Sequence, residues 1–437
     1  MNIILLSGGS GKRLWPLSND VRSKQFIKFF KHDGGYESMV QRVYRQIKDV
    51  NPNSSITIAT SKSQASAINN QLNDNVDICV EPCRRDTFPA IALAVSYLHD
   101  KKNVSLDDAV VVCPVDPYVE KDFFASIQEL SDLVVNSKDK NLFLMGIDPI
   151  VPSEKYGYII PKDKQRVSSV LAFKEKPDEA TSVEYIKQGA LWNCGVFAFK
   201  LRYVLDIAKK VFGTCSYQEL FDKYENLPKI SFDYAVVEKE KDIGVLRFNG
   251  NWTDAGTWAT LTDVMSENII GDAKMDESCK NVHIVNELDV PIIVLGINDA
   301  IISASPDGIL VANKEASGSL KQHVDDIHRE AMFAEKSWGN FKVIDASRES
   351  LVIKVNIIAG DSMNYHSHQY RDEVWVVTEG KGKILIDGKE QYINVGDVVT
   401  MKAGCRHMVA AITDLTLVEV QIGKDITVHD KKKFPIE

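Results

Sequence analysis

"LLSGGSGKRLWPLS", Leu5 to Ser18, begins within the apolar run "NIILL" and decides how the first half of the chain is read. The run has the character of a buried strand. The glycines at its end, Gly8, Gly9 and Gly11, let main-chain N–H groups approach an anion closely. Lys12 and Arg13 add positive charge beside them, and a guanidinium matches the paired oxygens of a phosphate. Further on, "RSKQFIKF" brings Arg22, Lys24 and Lys28. Two familiar phosphate motifs do not fit. The Walker pattern needs a glycine where Leu6 stands and a hydroxyl residue where Arg13 stands. The dinucleotide pattern needs a glycine in place of Leu14. What remains is a glycine-rich strand-to-helix corner with cations, suited to an anionic, phosphate-bearing ligand.

Outward from that corner, strand-like runs alternate with helical patterns as far as residue 265. "SSITIAT", "VDICVEP", "DAVVVCPVD" and "NLFLMGI" are separated by stretches such as "ESMVQRVYRQIKDV", "TFPAIALAVSYLHD" and "KDFFASIQELSDLVVNS". The alternation predicts an α/β domain over residues 1–265, with a mixed, mostly parallel sheet covered by helices and ligands at the carboxyl ends of its strands. Over residues 266–330, short strands broken by turns such as Pro306-Asp307-Gly308 predict a β-rich connector ending in the helical "LKQHVDDIHREAMF". Residues 331–437 alternate with period two around the turn Asp387-Gly388, the pattern of an antiparallel barrel or jelly roll.

A chain of 437 residues has room for two or three such domains. With 44% hydrophobic and 26% charged residues and a net charge of −9, its surface does not suit a general binder of nucleic acid or of membranes, while a local cationic pocket is allowed. No apolar run reaches membrane-spanning length and the first residues lack the layout of a signal peptide, so a cytoplasmic protein is expected. The seven scattered cysteines read as reduced thiols, and Cys79 and Cys83 lack the second close pair a zinc site needs.

"GGSGKRLWPLS" followed by "SKQF" resembles the signature of the sugar-1-phosphate nucleotidylyltransferases, and within them is most similar to the mannose-1-phosphate guanylyltransferases. The later markers stand in the expected order: "EPCRRDTFPAIALA", "VVCPVD", "FKEKP", "WNCGVF", "FDYAVVEK" and "WTDAGTW". The resemblance implies a Rossmann-like nucleotidyltransferase domain in which a sugar phosphate attacks the α-phosphorus of a nucleotide and expels pyrophosphate. It implies GTP and mannose 1-phosphate as substrates and Mg²⁺ bound by Asp116 and Asp254. Arg13 and Lys24 would stabilise the triphosphate and the transition state. Gly8, Gly9, Gly11, Lys12, Glu81 and Arg85 would face the nucleotide. Glu175, Lys176, Asn193, Gly195 and Asp233 would face the sugar phosphate, with Glu238 in support. Two departures bear on the base: Asp86 replaces the family's usual Asn, and Pro117 its usual His after the metal aspartate. The same chemistry with another base or sugar, a manno-heptose phosphate included, stays open, as does a non-catalytic sugar-nucleotide sensor. A β-rich connector could also carry a contact between two copies of the chain.

In the last section, His366 and His368 are two apart, Glu373 follows, and His407 comes after a glycine turn. Imidazoles with one carboxylate suit a divalent transition metal such as Zn, Mn, Fe or Ni. The pattern resembles the two cupin motifs, and the whole arrangement resembles the bifunctional mannose-6-phosphate isomerase/mannose-1-phosphate guanylyltransferases. That implies isomerase chemistry in the barrel; such chemistry needs a hold on the phosphate, for which Arg371 and Arg406 are candidates that the sequence does not place. A longer spacing from His368 to Glu373 and an altered tail, "KDITVHDKKKFPIE", leave a structural or otherwise employed cupin equally open, as they do a cupin-driven oxygenase.

Overall fold

The computed structural model describes every residue except 10, 11, 20, 328–330, 425, 428, 429, 436 and 437, and at 74 the backbone alone. The chain divides into two compact units. One comprises Met1–Gly9 and Ser23–Ser266, the other Ser10–Arg22 and Glu267–Glu437. The division runs through the glycine-rich stretch itself.

The first unit is built on nine strands: β1 (Asn2–Ser7), β2 (Ser55–Ser61), β3 (Asp77–Glu81), β4 (Ala109–Pro114), β5 (Leu142–Ile147), β6 (Tyr158–Pro161), β7 (Val167–Lys174), β8 (Leu191–Lys200) and β9 (Ile243–Phe248). Their order across the sheet is β3-β2-β1-β4-β8-β5-β9-β7-β6. Strands β3, β2, β1 and β4 are parallel to one another. Beyond them β8 runs antiparallel to both β4 and β5, and β7 antiparallel to β9 and β6, while β9 lies parallel to β5. The sheet is thus mixed, parallel where it carries the glycine corner and largely antiparallel elsewhere. The unalternating apolar runs of β1 and β4 follow from burial on both faces: Ile3, Ile4, Leu5 and Val110 to Val112 are all inaccessible to water. Helix Thr87–Lys102 is apolar almost all round because Phe88 to Val95 sit inside the main core.

In the second unit, residues 269–305 form a short parallel coil, which an antiparallel hairpin of Ala300–Ser305 with Gly308–Asn313 closes. Ile269 pairs with Ile284 and Ile284 with Ile302, so equivalent isoleucines stack rung on rung. A second parallel pair joins Ala273–Met275 to Ile292–Val294. The helix expected over "LKQHVDDIHREAMF" is confined to Leu320–Val324, and Phe333 already opens a strand. Asp325 and Asp326 place negative charge at the helix's C-terminal end, where the dipole disfavours it. The barrel consists of two antiparallel sheets of six and five strands. Trp375, Val377, Ile384, Val409 and Leu417 fill its apolar end. Among the described residues, no helix is long and apolar enough to cross a membrane.

Candidate functional site

Strands β1 to β4 finish level with one another, with Ser7 beside Thr60, Ser61 beside Glu81 and Leu6 beside Pro114. Gly8, Gly9, Glu81 and Asp116 therefore leave the sheet along one edge, the edge at which such sheets bind ligands. Gly9 has φ +92°, and among the described residues a Cβ on it would meet nothing within 4 Å. Its carbonyl accepts hydrogen bonds from Ser23 Oγ at 2.9 Å and Gln64 Nε2 at 3.2 Å, which fixes the two feet of the loop to each other. Gly11 lies outside the described residues. In the second unit, Lys12 pairs with Asp325 at 3.3 Å and Arg13 is exposed on a single tight turn. Arg22, read from the sequence as one of the loop's cations, is instead held in a bidentate pair with Glu287 at 2.6 and 2.9 Å.

The two expected metal aspartates come together. Strand Pro117–Val119 pairs with Trp252–Asp254, setting Asp254 opposite Pro117. Lys24 Nζ stands 3.0 Å from Asp116 Oδ2 and 3.7 Å from Asp254 Oδ1, so both carboxylates already face one cation. Gly256 makes that approach possible, since a Cβ there would fall 2.7 Å from Asp254 Oδ1. Both carboxylates remain partly accessible, which leaves room for water and phosphate oxygens, and the set fits Mg²⁺.

The expected sugar-side residues also form one network. Asn193 Nδ2 donates to Asp233 Oδ1 at 2.7 Å, and Gly195 N donates to Asn193 Oδ1 at 3.1 Å. Lys176 Nζ bonds Glu175 Oε1 at 2.6 Å, and Glu175 N donates to Glu238 Oε1 at 3.1 Å. Burial, together with the charge of Glu175, pushes the Asp233 pKa up to about 7. Tyr156 packs on Trp192 and Trp252, with ring centroids 4.8 and 5.5 Å apart, and joins the sugar-side strand to the metal-side strand. This aromatic cluster carries no sequence spacing by which it could be found.

Glu81 and Arg85 sit at the same sheet edge but are engaged by the segment around Tyr224. Tyr224 OH donates to Glu81 Oε2 at 2.6 Å, and Arg85 donates to the Glu225 carbonyl. Burial raises the Glu81 pKa against the effect of that hydrogen bond. Asp86 caps helix Thr87–Lys102, accepting from Thr87 N at 2.8 Å. Asn would cap equally well, so the exchange of Asn for Asp is conservative at this position.

In the barrel, His366 and His407 are direct cross-strand partners, and His366, His368 and His407 offer ligand nitrogens within 4.8 Å of one another. Each Nδ1 meets a backbone carbonyl, of Asn364, Asp430 and Cys405 respectively, leaving Nε2 for a metal. Glu373 stands 3.1 Å from Nε2 of both His368 and His407. Among the described residues, its Oε2 and His407 Nε2, both buried, meet no well-aligned hydrogen-bond partner despite that proximity. Three imidazoles and a carboxylate with buried, unspent donor atoms fit a divalent metal. Burial, with help from Lys431, lowers the His366 pKa to about 2. Burial also lowers that of His368, to about 4. Both rings are therefore neutral and ready to ligate.

Of the two arginines expected for phosphate, Arg371 is inside, donating to Glu373 Oε1 at 3.2 Å and lying 3.1 Å from His368 Nε2. Arg406 is outside, stacked on Phe434 at 4.2 Å. Sequence reasoning missed two further interior groups, Glu419 and Gln421, and the exposed Lys431. Glu419 and Gln421 project inward from strand Leu415–Gly423 and hydrogen-bond each other. The chain end pairs beside His366–Ser367, setting Lys431 near Glu419 and Glu373. Solvent reaches Lys431, yet the surrounding protein desolvates its ammonium enough to lower the pKa to about 8. The one available signal was Glu and Gln two apart within an otherwise apolar strand.

A glycine corner at a strand end, beside two carboxylates that share a cation, marks the first unit as an α/β enzyme acting on phosphate compounds; the barrel is a cupin. A family model for nucleotidyl transferases matches residues 2–269, and one for the mannose-6-phosphate isomerase C-terminal domain matches residues 321–435. The chain belongs to the nucleotidyl transferase family. It is 28% identical to mannose-1-phosphate guanylyltransferase of Salmonella montevideo, an alignment covering 99% of this chain and 98% of that protein. It is 26% identical to the alginate biosynthesis protein AlgA of Pseudomonas aeruginosa, covering 99% and 95%. Among solved structures, mannose-1-phosphate geranyltransferase from Thermus thermophilus aligns with a TM-score of 0.62 at 24% identity, over 74% of this chain and 98% of that one, a likeness of fold.

Proposed function

We propose that the chain joins GTP to α-D-mannose 1-phosphate, forming GDP-mannose and pyrophosphate. The observation that carries this reading is the convergence of Asp116 and Asp254 on Lys24, at the sheet edge that also bears Gly8 and Gly9. A sugar-phosphate oxygen bonds to the α-phosphorus as the bond from that phosphorus to the β-phosphate oxygen breaks. Both reactants are anions, so catalysis consists chiefly of positioning and charge neutralisation. Mg²⁺ held by Asp116 and Asp254 would neutralise phosphate oxygens. Lys12, Arg13 and Lys24 hold the triphosphate, and Glu81 and Arg85 serve the nucleotide end. Glu175, Lys176, Asn193, Gly195 and Asp233 orient the sugar phosphate.

The names of the full-length relatives support guanine and mannose, and Asp86, as a helix cap, does not oppose guanine. Relatives named for alginate and xanthan biosynthesis support a role in supplying a nucleotide sugar for polysaccharide synthesis. The seven cysteines are free thiols, which supports a reducing cytoplasm. The test is pyrophosphate release with Mg²⁺ across GTP, ATP, CTP and UTP, each with mannose 1-phosphate or glucose 1-phosphate. Turnover confined to GTP with mannose 1-phosphate is expected; turnover with another pair changes the substrates, and none with any pair overturns the reading.

For the barrel we propose a metal-dependent sugar-phosphate chamber interconverting fructose 6-phosphate and mannose 6-phosphate. Arg371 and Lys431 supply charge for a phosphate, and Glu419 is a carboxyl in reach of the same interior. Isomerisation needs such an acid/base group beside two adjacent carbons. Conversion of fructose 6-phosphate by the metal-loaded protein, lost in Glu419→Gln, is the expected result.

A further inference from the structure

Residues 10–22 are grouped with the second unit, and their contacts within it show what shapes them. Ser305 Oγ donates to the Pro16 carbonyl at 2.7 Å. Asn19 Nδ2 donates to Asp307 Oδ2 at 2.7 Å, while Asp307 Oδ1 accepts from Met332 N at 2.7 Å. Asn19 Oδ1 in turn accepts from the backbone N–H groups of Val21 and Arg22 at 2.8 and 2.7 Å, turning the chain back toward Ser23. Arg22 is locked on Glu287 and lies 5.0 Å over the Phe333 ring. Trp15 rests against Gly308, where a Cβ would fall 2.4 Å from its Cζ2. These contacts engage the middle, the return and the end of the segment, and they converge on the hairpin of Ala300–Ser305 with Gly308–Asn313 and on Glu287 of the parallel coil.

We infer that this β-rich section is a mould for the triphosphate loop, and that Asp307 is a positioning residue for nucleotide binding. The inference rests on the reading of Gly8 to Arg13 as that loop. Asp307 touches no substrate. It holds Asn19, whose side chain sets the turn through Arg22, and so governs the path of the segment presenting Lys12 and Arg13. Most of Asp307 is shielded from water, and its two oxygens are committed to Asn19 Nδ2 and Met332 N. A group used only for packing the coil would have no need to reach into the loop.

Steady-state pyrophosphate release by the full-length protein is measured for wild type, Asp307→Ala, Asn19→Ala and the double variant, alongside a thermal melt of each. The KM for GTP rises about tenfold in each single variant, from one or two lost hydrogen bonds. The KM for mannose 1-phosphate and kcat stay within about twofold, and the double variant is no worse than Asn19→Ala, since Asp307 acts through Asn19. An unchanged GTP KM in the folded single variants overturns the inference, as does an equal loss for both substrates that tracks the melting temperature. If wild type releases no pyrophosphate with any nucleotide, the proposed reaction fails, and calorimetric GTP binding by the same proteins decides the inference separately. Weaker binding by the variants sustains it, while equal binding, or none by wild type, overturns it.

Discussion

Asp233 sits among acids in a buried network, and its pKa of about 7 follows from desolvation and from Glu175 nearby. As a carboxylate it would accept a hydrogen bond from a sugar hydroxyl strongly; protonated, it would be a weaker acceptor, with one oxygen turned donor. The KM for the sugar phosphate is therefore expected to fall as pH rises through about 7, measured from pH 6 to 8. Asp233→Asn should remove that inflection and leave the one owed to the phosphate's own titration near pH 6. The same raised pKa costs stability at higher pH, because the unfolded carboxyl ionises near pH 4 while the folded one still holds its proton. At the metal pair, Asp116→Asn and Asp254→Asn should each lower kcat by about 100-fold or more with the melting temperature little changed, since each removes charge where charge develops. Near-normal turnover in either would exclude that residue from the metal site. These positions were legible because family markers carry them, residue by residue. The partners of Arg22 were not, because Glu287 lies far along the chain and nothing in the spelling of "RSKQF" says whether an arginine meets a phosphate or a carboxylate.

The strand end His366–Ser367 concentrates the barrel's chemistry, and its imidazoles respond to metal and acid in predictable directions. A divalent transition metal added to stripped protein should raise the melting temperature of the barrel, by about 2.7 kcal/mol of stabilisation at a free concentration 100-fold above Kd. His407→Ala should abolish the shift while Mg²⁺-dependent pyrophosphate release persists. Without metal, His366 and His368 stay neutral in the fold down to about pH 2 and about pH 4, whereas unfolded histidine protonates near pH 6.5. Their contribution is complete above about pH 6.5 and is lost as pH falls below it, down to about pH 4 for His368 and about pH 2 for His366, which acid titration of the metal-free protein checks. At this scale the sequence was informative where periodicity is unambiguous. The apolar runs of β1 and β4 read as doubly buried strands, and the alternation after residue 380 as a barrel. It was silent on the parallel stacking of Ile269, Ile284 and Ile302, because short strands between turns look alike whether they fold into hairpins or coil.

Across the whole molecule, the division of the chain does not follow the order of its motifs, since residues 10–22 fold with residues 267–437. A chain ending at residue 266 should therefore lose most GTP-dependent turnover even though its sheet is complete, while one ending at residue 332 should retain most of it. Pyrophosphate release and nucleotide KM distinguish the two. The same arrangement governs what happens during synthesis. The loop leaves the ribosome well before the section that holds it, since Ser305, Asp307 and Gly308 follow only after almost three hundred more residues. At roughly 5–20 residues per second that is a wait on the order of 15–60 s. Throughout it the sheet can assemble while the loop has no template, so the nascent enzyme completes its scaffold long before it can grip a nucleotide.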